Sequence, residues 1–239
     1  MSIEQMARER FGEPNMRKSH GADMRFGSHG SKSVDLKTGA WFDFEEGTGG
    51  YFEDKEPEPA ANCVRMIVEK YDYFDLDGEL RYQVCRYMPK DFRPRVPNGA
   101  GWREGRGCMD GVERLPYRVT EILKSDYVIV VEGEKDVDAL RAAGFVATTK
   151  CGGAAKTWEP NALSYFRDRD VYVIPDNDTA GIRGAEKTCA ALVGVARSVR
   201  LAPLCADMAP RADVSDWLAA GGSDVVAACK AFPEFDAEE

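Results

Sequence analysis

YVIVV at 127–131 runs straight into EGEKD at 132–136, and VYVI at 171–174 runs through Pro175 into DNDTAG at 176–181. Both apolar runs are short and rich in β-branched residues. Each is bounded by turn chemistry and then by a helical pattern, over 134–143 up to Gly144 and over 179–193 up to Gly194. Strands alternating with helices predict βαβ units around a parallel sheet, and in such sheets ligands bind at the carboxyl ends of the strands. Glu132, Asp136, Asp176 and Asp178 are therefore expected on one rim. Carboxylates crowded together repel strongly unless a cation intervenes, so this rim is a candidate divalent-metal site.

Working outward, the pattern predicts a strand at 146–149, a helical piece near 160–166 and a strand at 198–202. A short helix then starts at Asp213 and ends at Gly221-Gly222, a last helix covers about 224–231, and the tail FPEFDAEE is expected to fray. Upstream, 3–11 reads as an amphipathic helix. MRFG, SVDL and AWFDF between 24 and 44 read as a small antiparallel sheet, closed by Gly47-Thr-Gly-Gly50. The acidic, proline-rich EDKEPEPA at 53–60 reads as a linker. Asp77-Gly78 between 64–73 and 79–87 marks a hairpin, after which the chain from Pro89 to Arg114 reads as irregular and basic. The organisation expected is a small β-rich region at 1–52, a linker at 53–61, a basic region at 62–124, an α/β domain at 125–222, and a helix with an acidic tail at 223–239.

At 239 residues with 44% hydrophobic and 31% charged side chains, the composition is that of a globular protein. No apolar run approaches the roughly 18–20 residues of a membrane span, and MSIEQMARERFGEP has no apolar signal region. The seven cysteines form no CxxC pair and the only histidines are His20 and His29. No structural zinc is therefore expected, and the cysteines read as reduced core residues of a cytoplasmic protein. A net charge of −9 argues against a generally basic nucleic-acid coat. It conceals a local reversal. Between 81 and 118 stand Arg81, Arg86, Lys90, Arg93, Arg95, Arg103, Arg106, Arg114 and Arg118 against Asp91, Glu104, Asp110 and Glu113. Phe92, Trp102 and Tyr117 are interleaved, which suits phosphate contact with base stacking on a single strand; a solvated face is the plain alternative.

Each acidic motif also has a plain structural explanation. An acid in the first turn of a helix complements its dipole, which accounts for Asp136, and Gly133 permits close backbone approach. Asp178 or Thr179 can N-cap the helix that follows, leaving Asp176 without such a role. Asp213 can likewise cap its helix, with Asp216 three residues on. Three acidic clusters, each following a strand, together favour an oxygen-ligand site for Mg²⁺. Cys151-Gly-Gly-Ala-Ala-Lys156 lacks the GxxxxGK[ST] pattern; it reads either as a phosphate nest with Lys156 as a point charge or as a glycine turn.

VIVVEGEKDVDAL, VYVIPDNDTAG and DVSDWL, in that order over 125–222, resemble the Toprim domain shared by primases, topoisomerases, recombination mediators and some nucleases. The strand-end Glu132-Gly133 and the later Asp176 and Asp178 stand at the family's motif positions. Within the family the chain is most similar to phage and mobile-element primases: YQVCRYMPKDFRPRVPNG at 82–99 resembles the basic primase core, RLPYR at 114–118 the motif leading into Toprim, and Asp213/Asp216 the third acidic motif. This resemblance implies an α/β Toprim fold, Rossmann-like, with helices flanking a mainly parallel sheet. It implies Mg²⁺ or Mn²⁺ held by Glu132, Asp136, Asp176, Asp178, Asp213 and Asp216, with Glu132, Asp176 and Asp178 catalytic. Arg86, Lys90, Arg93, Arg95, Trp102, Arg114, Lys135 and Lys156 are the implied contacts for nucleotide or nucleic acid. The implied partners are a single-stranded DNA template, nucleoside triphosphates and a separately encoded helicase, since no helicase domain follows in the chain. Residues 21–50 resemble the strand pattern of the family's zinc ribbon without its cysteine ligands.

Overall fold

The structure, a computed structural model, describes residues 2–19, 21–37, 39–43, 48–51, 66–88, 91–152 and 156–236, with backbone alone at 40, 42 and 48–51. The chain divides into two compact units, 1–64 and 65–239. The linker expected at 53–61 lies outside the described residues.

In the first unit, helix α1 (Ile3–Phe11) starts with a reciprocal cap: Ser2 Oγ accepts from the Gln5 backbone N–H and the Gln5 side chain accepts from that of Ser2. Strands β1 (Asp23–Phe26), β2 (Lys32–Asp35), β3 (Ala40–Asp43) and β4 (Thr48–Tyr51) form an antiparallel sheet in sequential order. Ala7, Met24, Phe26 and Val34 make its core, with Phe11 packed on Phe26 and Trp41. The fourth strand replaces the closing turn expected at 47–50. Gly49 and Gly50 pair with Phe42 and Trp41 through the backbone ladder, which needs no side chain and leaves no signal in the sequence.

The second unit opens with β5 (Met66–Phe74), β6 (Leu80–Met88), β7 (Asp91–Asn98) and β8 (Gly101–Glu104), a second antiparallel sheet in sequential order. The β5–β6 turn is fixed by Asp75, whose carboxylate accepts from the N–H groups of Asp77 and Glu79, and by Gly78 at φ +81°. Strands β7 and β8 correct the expectation of irregular chain after Pro89. Pro94 and Pro97 hid them, because proline normally argues against a ladder. The register shows how they fit. Pro94 lies beyond the end of the β8 ladder, which stops at Arg95↔Glu104, and Pro97 beyond that of β6, which stops at Gln83↔Arg95.

Then follow α2 (Val119–Ile122), β9 (Tyr127–Val130), α3 (Glu134–Ala142), β10 (Ala147–Thr148), α4 (Pro160–Leu163), a 3₁₀ turn at Ser164–Phe166, β11 (Asp170–Val173), α5 (Thr179–Leu192), β12 (Ser198–Leu201), α6 (Val214–Ala219) and α7 (Val225–Lys230). The sheet β10-β9-β11-β12 is parallel throughout. Alternation along its strands feeds two cores. Val128, Val130, Val171 and Val173 pack with Ala185, Cys189 and Leu192 of α5. Ile129, Val131, Tyr172 and Ile174 pack with Val137 and Leu140 of α3, and this second core also takes in Tyr71, Tyr73, Tyr82 and Val84 of the antiparallel sheet. A sheet covered on both faces explains the unbroken apolar runs from which it was read.

The tail is docked as far as it is described: the Phe235 N–H donates to the Val199 carbonyl at 2.8 Å and Glu234 pairs with Arg200 at 2.8 Å. The free cysteines Cys85, Cys108, Cys189, Cys205 and Cys229 are buried and Cys151 is partly so. Cys63 lies outside the described residues. No described helix is long and apolar enough to cross a membrane.

Candidate active site

The chain leaves β9 to one side, towards β10, and leaves β11 to the other, towards β12. The crevice between the carboxyl ends of β9 and β11 is therefore the topological switch point, where this class of sheet binds ligands. Glu132 follows β9 and Asp176 follows β11. They open onto one cleft of about 470 Å³, also lined by Gly133, Glu134, Lys135, Asp136, Cys151, Gly152 and Asp213. The opposite wall is Tyr71, Val84, Arg86, Phe92 and Pro94, from the inward face of the antiparallel sheet.

The loops that carry the acids are pinned. Asn177 donates from its side chain to the carbonyls of Met208 and Ala209, and its backbone exchanges hydrogen bonds with Arg211 and Ala212. This ties the loop after β11 to the loop leading into α6. Gly181 lets α5 begin directly behind Asp176, for a β-carbon there would lie 2.8 Å from the Asp176 carbonyl oxygen. Asp178 caps α5 by accepting from the Gly181 N–H at 2.8 Å. Asp213 and Asp216 form a reciprocal capping box at the start of α6. Asp213 also reaches the cleft, where Lys135 Nζ meets its Oδ2 at 3.1 Å. Asp216 is occupied as a cap, not as part of the cleft wall.

The electrostatics follow from this crowding. Burial, then the charges of Glu132, Asp136, Asp213 and Asp178, push the Asp176 carboxyl up to about 7. Asp136, 6% exposed, is pushed up to about 6, chiefly by burial and against a 2.6 Å hydrogen bond donated by Ser215. Burial also raises Glu134, although Tyr73 donates to it at 2.8 Å. Lys150, beside Glu132, is lowered by burial and partly restored by that acid. An oxygen-only donor set in which Asp136 and Asp176 resist ionisation has the chemistry of a hard divalent-cation site. The carboxylates are spread around the cleft: among the described residues no three His, Cys, Asp or Glu side chains already form a metal cage.

Of the basic and aromatic residues expected to contact nucleic acid, the pleat sorts the strand-borne ones between two faces. Arg86 faces the cleft and is paired in register with Phe92. Arg93 pairs with Asp91. Arg95, 9% exposed, donates to Gln83 and lies 4.0 Å over the Trp102 ring, in register with Glu104. Arg93, Arg95 and Trp102 are thus absent from the cleft lining. Tyr117 is buried, with Arg118 and Asp138 at its hydroxyl. Arg114 pairs with Glu159. Lys135 joins the cleft; Lys156 is exposed, its stem against Gly152. Lys90, and residues 153–155 of the glycine-rich loop, lie outside the described residues.

Sequence reasoning missed the pair Tyr73–Glu134. Glu134 is 7% exposed and Tyr73 fully buried, stacked on Tyr82 at 4.4 Å. The partners are 61 residues apart, and no spacing rule joins them. It also missed Asn177, whose only signal is its place between two aspartates, and Ser215 and Lys150, which have none.

No family model and no curated protein matches the chain. Among solved structures it is similar to the zinc-binding and RNA-polymerase domains of the Aquifex aeolicus primase (TM-score 0.50, 16% identity, 69% of this chain and 40% of that one). It is similar also to the DnaG catalytic core (0.51, 18%, 69% and 52%) and to a DNA primase domain from Pseudomonas aeruginosa (0.50, 16%, 95% and 63%). In each case it spans less than two thirds of the neighbour's length. The chain thus has a mixed α/β fold, with one parallel and two antiparallel sheets among the described residues, that resembles the catalytic cores of DNA primases.

Proposed function

We propose that this chain is a metal-dependent DNA primase of the Toprim type, making short RNA primers on single-stranded DNA in phage or mobile-element replication in a bacterial cytoplasm. One observation carries the reading: carboxylates from the ends of two adjacent parallel strands share a cleft with an arginine- and phenylalanine-bearing wall. Glu132, Asp136, Asp176 and Asp213, with Asp178 close by, would hold Mg²⁺ or Mn²⁺. When bound, the ion supplies charge neutralisation on the triphosphate. The protein's own part is placement. The Asn177 staple and the Gly181 contact fix Asp176; Ser215 fixes Asp136; Lys135 and Arg86 offer positive charge to phosphate oxygens. In primer extension a 3′-hydroxyl oxygen bonds to the α-phosphorus, pyrophosphate leaves, and the hydroxyl proton passes to a base, the role this reading gives Glu132. No protein nucleophile is required. The partners of this reading are the template strand, nucleoside triphosphates and a replicative helicase.

The test is primer synthesis on single-stranded DNA with Mg²⁺ or Mn²⁺, for wild type and Asp176→Asn. Product from the wild type alone is expected. A folded wild type that yields none under either metal overturns the reading. Cleavage of labelled DNA or RNA without triphosphates would instead make it a nuclease. Binding that survives substitution of Glu132, with no turnover, would make it a non-catalytic binding module.

A further inference from the structure

The two walls of the cleft are chemically opposite. One carries five carboxylates, with Lys135 as its one cation among the described lining residues. The other offers Val84, Pro94, the buried Tyr71, Arg86 and Phe92. Phe92 stands out there because it is 46% exposed although it lines a concave surface. A phenyl ring this exposed leaves apolar area for a ligand, since Arg86 approaches it only to 6.0 Å whereas Arg95 lies 4.0 Å over Trp102. Its register partner across β6–β7 is Arg86, whose guanidinium lies over the ring at 6.0 Å from its centroid and pairs with Glu69 at 3.4 Å. Trp102 and Tyr117, the two aromatics read with it as stacking candidates, are engaged elsewhere. Trp102 carries Arg95 over its ring, outside the cleft lining, and Tyr117 is buried in the core.

We infer that Phe92 is the base-stacking platform of this cleft, and that its ligand is a nucleoside triphosphate lying with its base on Phe92 and its phosphates towards the acidic wall. The inference rests on the proposed polynucleotide chemistry for the presence of nucleotides at this site. A cleft of about 470 Å³ is of the size that takes a single small ligand. The asymmetry of the walls selects which nucleotide form enters. A strand carries a phosphate at every residue and would run its backbone along the carboxylates. A nucleoside triphosphate concentrates its charge at one end, arrives with its own divalent cation, and presents one aromatic face at the other. Arg86, over the ring at 6.0 Å, can meet a phosphate or cover the base.

The test is calorimetric binding of Mg·ATP, Mg·tripolyphosphate and a short single-stranded oligodeoxyadenylate to wild type, Phe92→Leu and Phe92→Tyr, with thermal melts to confirm that each variant is folded. Expected is a loss of about tenfold in ATP affinity for Phe92→Leu, the change that ~1.4 kcal/mol of lost stacking produces. Tripolyphosphate binding is unchanged and Phe92→Tyr restores ATP affinity. Three results overturn the inference: wild type that does not prefer ATP to tripolyphosphate, equal losses for both, or a loss confined to the oligonucleotide, which would assign the ring to a strand. The readout is binding, so it is separable from the proposed activity. Phe92-dependent ATP binding without primer synthesis sustains the inference while the primase reading fails.

Discussion

The parallel sheet β9–β12 and the antiparallel sheet β5–β8 share one core, yet they use sequence in opposite ways. The parallel sheet is buried on both faces, so its strand interiors are almost purely apolar and its chemistry is confined to the ends, where Glu132 and Asp176 stand. The antiparallel sheet has one face in the core and one outside it, so its chemistry is distributed along the strands, alternate residues serving different purposes. Arg86 and Arg95 are close in sequence and identical in type. One borders the cleft and the other braces the far face through Gln83 and Trp102. A basic stretch is therefore not a basic patch until the pleat is known.

Five tests, one of them a pair of substitutions, break or sharpen this contrast. The largest effect is expected at a strand end. Asp176→Asn should lower primer synthesis by about 10³-fold or more, in line with the several kcal/mol that charge neutralisation contributes. In metal-free buffer it should raise the melting temperature, because it removes one of the mutually repelling, partly buried acids. A melting temperature that falls would show that Asp176 is a stabilising residue rather than a strained one.

Next comes its support. Gly181→Ala drives a methyl against the Asp176 backbone, and overpacking of this kind costs ~1–3 kcal/mol. Urea unfolding should show the loss, and activity should drop with it. Unchanged stability would mean that the loop yields easily.

The two arginines give the sharpest contrast. Arg86→Ala should weaken nucleotide binding about tenfold with little change in stability. Arg95→Ala should leave binding intact and cost ~1–2 kcal/mol of stability through a broken buried hydrogen bond and lost packing. The opposite assignment of losses would reverse the two faces.

Tyr73→Phe deletes one hydroxyl and leaves Glu134 buried without that donor; ~1 kcal/mol should be lost at neutral pH. The loss should shrink in acid, where a protonated Glu134 no longer requires a donor.

The smallest effect belongs to the amino end of the parallel sheet. Asp170 is lowered by hydrogen bonds from Arg197 and Ser198, with burial opposing. Its folded value lies below its unfolded one, so its contribution is present above the ordinary carboxylate range and fades as pH falls through the lowered value. Asp170→Asn should reduce the melting temperature by under ~2 °C at pH 7 and by less at pH 3, because water screens the exposed guanidinium.

What the sequence disclosed follows the same division. The β9 and β11 runs, the helices after them and the acids at their ends were legible because burial on both faces and strand-end chemistry are local patterns. Strands β7 and β8 were illegible because Pro94 and Pro97 imitate a loop, and only the register shows that each lies past the end of a ladder. Asp213 and Asp216 were read as one pair, yet the geometry divides them, since a capping box holds both and only Asp213 also borders the cleft. The Tyr73–Glu134 bond, the Asn177 staple and the two-faced basic segment depend on pairings between distant parts of the chain, which composition and period do not encode.

Tyr73 has one further consequence. Its ring stacks on Tyr82, its hydroxyl holds the first turn of α3, and both lie in a core to which each sheet contributes. Neither sheet can come apart without exposing the other's apolar face. Residues 65–236 should therefore melt as one cooperative body, and a cut at the 124/125 boundary suggested by the sequence would yield two fragments that aggregate rather than two domains that fold. The boundary between a recognisable motif region and its neighbour is here a boundary of resemblance, and the unit of folding crosses it.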